Sequence, residues 1–176
     1  RIQGERAQNL EQAIQHYKQA LTVRTRDAFP EQWAMTQNNL GNAYRNQIRG
    51  ECAENIEQAI YHYDQALDIY TLDAFPSEHR RTQQNFLTAC MGSQRWVDAI
   101  EGGLGALAAG DLLYAAAATP ESRQAELREV SDVPGQLAYA FVAATDKASN
   151  LQQAVLTLEQ NRARWLVESL AMGAAQ

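Results

Sequence analysis

The chain has 176 residues, enough for one domain with a sizeable core or a short repeat array, and a formal net charge of −6 with a pI near 5.1. Its arginines are interleaved with glutamates and form no basic stripe, which argues against a nucleic-acid partner. Cys52 and Cys90 have no CxxC spacing and offer no disulfide framework, so a reduced, cytoplasmic setting is expected, and the richest apolar tract, Leu104 to Ala118, is too interrupted by Gly105, Gly110 and Asp111 to span a membrane.

Seven helices are expected, over about 5–28, 31–48, 52–74, 77–92, 95–118, 121–145 and 149–172. Apolar residues recur at spacings of three and four, and strand formers never alternate at period two. The first helix carries GERAQNLEQAIQHYKQALTVRTRDAFP from Gly4. The third carries GECAENIEQAIYHYDQALDIYTLDAFP from Gly50, the same text 46 residues on. About half the positions are identical across the whole period. A fixed period of roughly 20 to 50 residues marks a solenoid whose units bury each other's apolar faces.

On the second helix Leu40, Ala43 and Tyr44 share a stripe. On the third Ile56, Ala59, Ile60, Tyr63, Ala66, Leu67 and Tyr70 do the same. Each long helix is expected to end in DAFP, Asp27 to Pro30 and Asp73 to Pro76. There Pro opens the next helix, Phe fills the seam, and Asp, in the last turn, accepts from free N–H groups. On the fourth helix Phe86, Leu87 and Cys90 replace Leu40, Gly41 and Tyr44, which predicts looser packing of that pair. On the fifth, Ala99, Ile100 and Leu107 replay Ala59, Ile60 and Leu67 at an offset of 40. Its tract GGLGALAAG has neither the Lys nor the preceding strand of a phosphate loop, and reads as close helix approach. Thr119-Pro120 opens the sixth helix. The seventh replays NLEQAIQHYKQ from Asn9 as NLQQAVLTLEQ from Asn150. Its Trp165, Leu166 and Leu170 are expected to pack inward, with Arg162 and Arg164 in solvent.

Leu40-Gly41-x-x-Tyr44 followed by Ala59-x-x-x-Tyr63-x-x-Ala66 resembles the tetratricopeptide repeat, W-x2-L-G-x2-Y, then A-x3-F, then P. The chain departs from it at Gln37, where the pattern has an aromatic, and in a period longer than the usual ~34 residues. With NNLGNAY in a long repeat, it is similar to the extended repeats of kinesin light chain and of bacterial scaffold proteins. AVLTLEQNRARWLVESLA resembles the last repeat before a CHAT domain, a caspase-like peptidase domain found behind such arrays in bacteria.

The resemblance implies an all-α fold, a right-handed superhelix (α-solenoid) of antiparallel helix pairs. One such domain would cover 1–176, with a lone B helix at about 5–28 and repeat units at about 30–74, 77–118 and 120–172. The chain, which does not begin with Met, is then expected to be a piece of a longer protein whose peptidase lies outside it. In this family the A helices line a concave groove. Carrying that geometry over from Leu40 puts Met35, Asn38, Asn42 and Arg45 in the groove. From Phe86 it puts Arg81, Gln84, Thr88 and Met91 there, and from Leu137 it puts Asp132, Gly135, Tyr139 and Val142 there.

Asn side chains offer donor and acceptor to an extended peptide backbone without reading its sequence. Arg45 and Arg81 add forks for a carboxylate. Asn39 and Asn85 recur beside the groove and are expected to cap or bridge helices. No catalytic or metal site is expected and no cofactor is implied. His16 and His62 are one repeat apart without a converging ligand, and Cys90 sits at a core-type position. The expected role is a scaffold that binds a protein or peptide partner and regulates or targets an appended domain. A self-associating array, with a homodimer, is the competing reading. A third is the regulatory part of a peptidase.

Overall fold

The computed structural model describes residues 2–47, 50–144 and 148–173. Among them the chain is all-α: α1 Ile2–Leu21, α2 Pro30–Arg45, α3 Cys52–Leu67, α4 Pro76–Gly92, α5 Trp96–Ala116, α6 Pro120–Glu129, α7 Val133–Ala144 and α8 Ala148–Gly173. Each helix from α1 to α5 packs on the next, α5 packs on α6 and α7, and α7 packs on α8. Across this zigzag α2 also touches α4, and α4 touches α7. The result is a solenoid-like array in which α2, α4 and α7 lie side by side.

Among the described residues the stretch expected as one helix over 121–145 is two, broken at 130–132. Pro134 explains the break. In an unbroken helix it would lack its N–H bond and clash with the preceding turn. Instead the chain tightens, with Ser131 N–H donating to Arg128 O (3.2 Å) and Val133 N–H to Val130 O (3.1 Å). Pro134 then sits in the first turn of α7, where its missing donor costs nothing. At the start of α6 the cap is complete: Thr119 and Ser122 exchange side-chain bonds in a capping box.

α1 and α3 also end earlier than the periodicity predicts, at Leu21 and Leu67. The eight residues after each fold into the same link twice. Arg24 N–H donates to Ala20 O and Tyr70 N–H to Ala66 O; Phe29 N–H donates to Thr25 O and Phe75 N–H to Thr71 O. The Thr25 and Thr71 hydroxyls accept from Ala28 and Ala74 N–H at 3.3 and 3.4 Å. Phe29 and Phe75 hold nearly identical backbone angles, φ −142°, ψ 64° and φ −140°, ψ 62°, before Pro30 and Pro76 open the next helix. Asp27 and Asp73 lie in this link and are exposed, not in a helical turn, and neither helix start has a side-chain cap. Phe75 packs edge-on against Tyr70, whereas Phe29 stays exposed.

Where the paired helices cross, backbone approaches side chain with no room for a Cβ. At Gly41 an added Cβ would lie 2.6 Å from the Tyr63 ring and 3.1 Å from Ala59 O. At the next pair the glycine has changed helix. A Cβ at Gly102 would lie 2.9 Å from the Phe86 ring and 3.2 Å from Leu87 N. This exchange corrects the expectation of looser packing: α4 and α5 form the most extensive pair, because Gly102 leaves room for the Phe86 ring and for the α4 backbone at Gln83 and Leu87. Leu40, Ala59, Tyr63, Ala66, Leu87, Cys90, Ala99 and Ala106 are sealed in this core.

Gly41→Ala is therefore expected to lower the unfolding free energy by about 1–3 kcal/mol, read from urea denaturation. Gly4→Ala, on α1 with nothing within 4 Å of the new methyl, is expected to leave it unchanged or raise it slightly.

Candidate functional site

The layer formed by α2, α4 and α7 carries the candidate face. On α2 the side holding Trp33, Ala34, Gln37, Leu40, Gly41 and Tyr44 is buried. Met35 and Asn46 are exposed, and Asn39, Asn42 and Arg45 are half-buried. On α4 Arg81 and Thr88 are exposed, and Gln84, Asn85 and Met91 are half-buried. On α7 Gly135, Tyr139 and Val142 are exposed, and Asp132 lies in the turn before it. Met35 and Arg81, Asn39 and Asn85, and Asn42 and Thr88 are each 46 residues apart. The repeat thus presents the same stripe twice, side by side.

Asn38 does not belong to it. The side chain is buried, and its Oδ1 accepts from Asn85 Nδ2 at 3.2 Å. α2 and α4 approach closely enough that this position faces the neighbouring helix, and the open position is one residue later, at Asn39. Asn85 makes the helix-to-helix bridge expected of that position, with Asn38 as its partner.

The remaining predicted residues are open to different degrees. Asn42 Oδ1 accepts from Tyr63 Oη at 2.9 Å, which leaves its amide N–H groups for other partners. Burial pushes the Tyr63 phenol up to about 12, against the opposing pull of the Arg45 charge, so Tyr63 remains a neutral donor. Gln84 Nε2 donates to Glu129 O at 2.5 Å, and Thr88 Oγ1 donates to Gln84 O at 2.8 Å. Beside them the buried Arg80 pairs with Glu126, so two polar contacts fasten α4 to α6. Arg81 borders a hollow of about 220 Å³ with Ser77, Glu78 and Glu129. Tyr139 is 60% exposed and meets Trp96 edge-on, ring centroids 5.7 Å apart.

Titratable groups elsewhere are turned to packing. His62 is buried, stacked on Tyr44, with Nδ1 2.6 Å from Gln37 Oε1. Burial, assisted by the Lys18 charge, lowers it to about 4, so it is neutral near pH 7 and its Nδ1–H donates to Gln37. Gln37, which stands where the tetratricopeptide pattern has an aromatic, thus has a partner on the facing helix. Burial likewise pushes the Cys90 thiol up to about 12, which keeps it out of the reactive thiolate form. Among the described residues no three His, Cys, Asp or Glu side chains converge as metal ligands, and no helix is long and apolar enough to cross a membrane.

α8 is turned differently from expectation. Leu166 and Leu170 are exposed, Trp165 is half-buried, and Arg164 is held against α5 by both oxygens of Asp111. The buried Glu168 accepts from Tyr114 Oη. Arg162 is exposed, as expected.

Comparison with protein-family models, with curated proteins and with solved structures finds no match.

The pH response of His62 follows from its burial. Its pKa is lower in the folded chain than in the unfolded one. Stability is therefore complete above the unfolded value near 6.5 and is lost as pH falls toward 4. Urea melts at pH 7 and pH 4.5 are expected to show a smaller loss for His62→Gln than for the native chain, the difference being on the order of 2–3 kcal/mol.

Proposed function

We propose that this chain is a tetratricopeptide-type interaction scaffold whose partner is an extended peptide or protein segment laid across α2, α4 and α7. The observation that carries the reading is the duplicated stripe, Met35, Asn39 and Asn42 on α2 beside Arg81, Asn85 and Thr88 on α4. The Asn39 and Asn42 amides on α2, with what Asn85 keeps beyond its bridge to Asn38, suit a peptide backbone, which repeats its own donors and acceptors along an extended segment. Arg45 and Arg81 add charge-assisted donors for a carboxylate on the partner. Tyr139 adds an exposed ring with an apolar face and a polar tip. The partner is a protein or peptide, not nucleic acid, in keeping with the net charge of −6.

The role in a larger protein follows from the resemblance of AVLTLEQNRARWLVESLA to the repeat that precedes CHAT domains. On that reading the scaffold regulates or targets an appended caspase-like domain in the bacterial cytoplasm, and performs no chemistry itself. The extended tetratricopeptide pattern at Leu40-Gly41 and Ala59 to Ala66 supports the family assignment.

The test is peptide capture. Peptides selected on the chain from a random library with free C-termini are expected to bind Arg45→Glu/Arg81→Glu at least about tenfold more weakly in fluorescence polarisation. Arg6→Glu, on the exposed side of α1, is expected to bind like the native chain. Equal affinity for the double variant would remove α2 and α4 as the binding face.

A further inference from the structure

α8 turns a mostly polar side to the rest of the chain, with Ala154 buried and Trp165 half-buried among the polar groups. Arg164 and Glu168 are engaged by Asp111 and Tyr114 of α5, with Asn161 half-buried beside them. The opposite side carries Leu151, Val155, Leu158, Leu166 and Leu170, all exposed, the last two at 61% and 65%. With Arg162 these positions form one stripe, about 28 Å long at the rise of an α-helix. An exposed row of apolar side chains of this length marks an interaction surface.

The stripe is its own complement. Counted outward from Gln160, it runs Leu158, Val155, Leu151 one way and Arg162, Leu166, Leu170 the other, at nearly the same spacing. An identical helix running in the opposite direction therefore places Leu151 against Leu170 and Val155 against Leu166, at both ends. At the centre Glu159 of each copy meets Arg162 of the other. Both side chains are exposed. A parallel arrangement would set each of these charges against its own kind.

We infer that α8 forms the interface of a two-fold dimer in which two copies pack antiparallel about an axis beside Gln160. A two-fold interface requires one self-complementary patch, which this stripe supplies. The apolar contacts give affinity, and the two Glu159–Arg162 pairs fix direction and register. The inference is independent of the peptide face, which lies on other helices.

Sedimentation velocity of the intact chain over a dilution series is expected to show monomer passing to dimer. Leu166→Glu is expected to be monomeric throughout. Arg162→Glu and Glu159→Arg, each with unchanged helical circular dichroism, are expected to dimerise at least about tenfold more weakly. Mixed in equal amounts, those two variants are expected to recover native affinity as a heterodimer, because every central contact is then between opposite charges. A native chain that stays monomeric across the series overturns the inference. So does a mixture that associates no better than either variant alone.

Discussion

The close crossing of helix pairs is the constraint from which the rest of the molecule follows. Two helix backbones approach until one of them must surrender its Cβ. In the α2–α3 pair Gly41 yields to the Tyr63 ring; in the α4–α5 pair Gly102 yields to the Phe86 ring and the α4 backbone, and where α5 meets α7 Gly103 yields to Leu137. The small residue changes sides, but the crossing stays closed. With each pair locked, α2 and α4 come near enough for Asn38 to bond Asn85, and α4 is pinned to α6 through Arg80 and Glu126. What remains outside is the stripe of Met35, Asn39, Asn42, Arg81 and Thr88. The candidate face is what close packing leaves free.

The links keep successive units in phase. Thr25 to Pro30 and Thr71 to Pro76 repeat the same hydrogen bonds and the same angles at the Phe before Pro. Because each link delivers the chain into its next helix in the same orientation, residues 46 apart point the same way. On the proposed function, a partner laid from α2 to α4 would meet equivalent positions at a regular interval. DAFP is thus a scaffold corner, and its consequence for function is the register of the helices it introduces.

Much of this was legible in the chain itself. Two copies of one text, with apolar residues at spacings of three and four, specify helices, their pairing and a core at Leu40, Ala59, Tyr63 and Ala66. The ends of α1 and α3 were not legible, because Val23, Ile69 and Tyr70 continue the apolar pattern after the chain has left the helix. The Thr hydroxyls of the link offer the backbone an alternative bond that periodicity does not register. The break before α7 had a visible signal in Asp132-Val133-Pro134-Gly135. At Asn38 alone the expected position differs from the open one by a residue, about 100° of helix, because Asn38 and Asn39 differ only in how near α4 comes. The turn of α8 depends on Asp111 and Tyr114, more than fifty residues away, and no local pattern encodes such pairings.

The central claim is that α2 and α4 act as one recognition surface. Amide and side-chain NMR shifts of the chain, followed during titration with a peptide selected on it, test this directly. The account predicts perturbations centred on Met35, Asn39, Asn42, Arg45, Arg81 and Thr88, with α1 and the outer side of α3 silent. Perturbations confined to α8, or a library from which no peptide is retained, would contradict it.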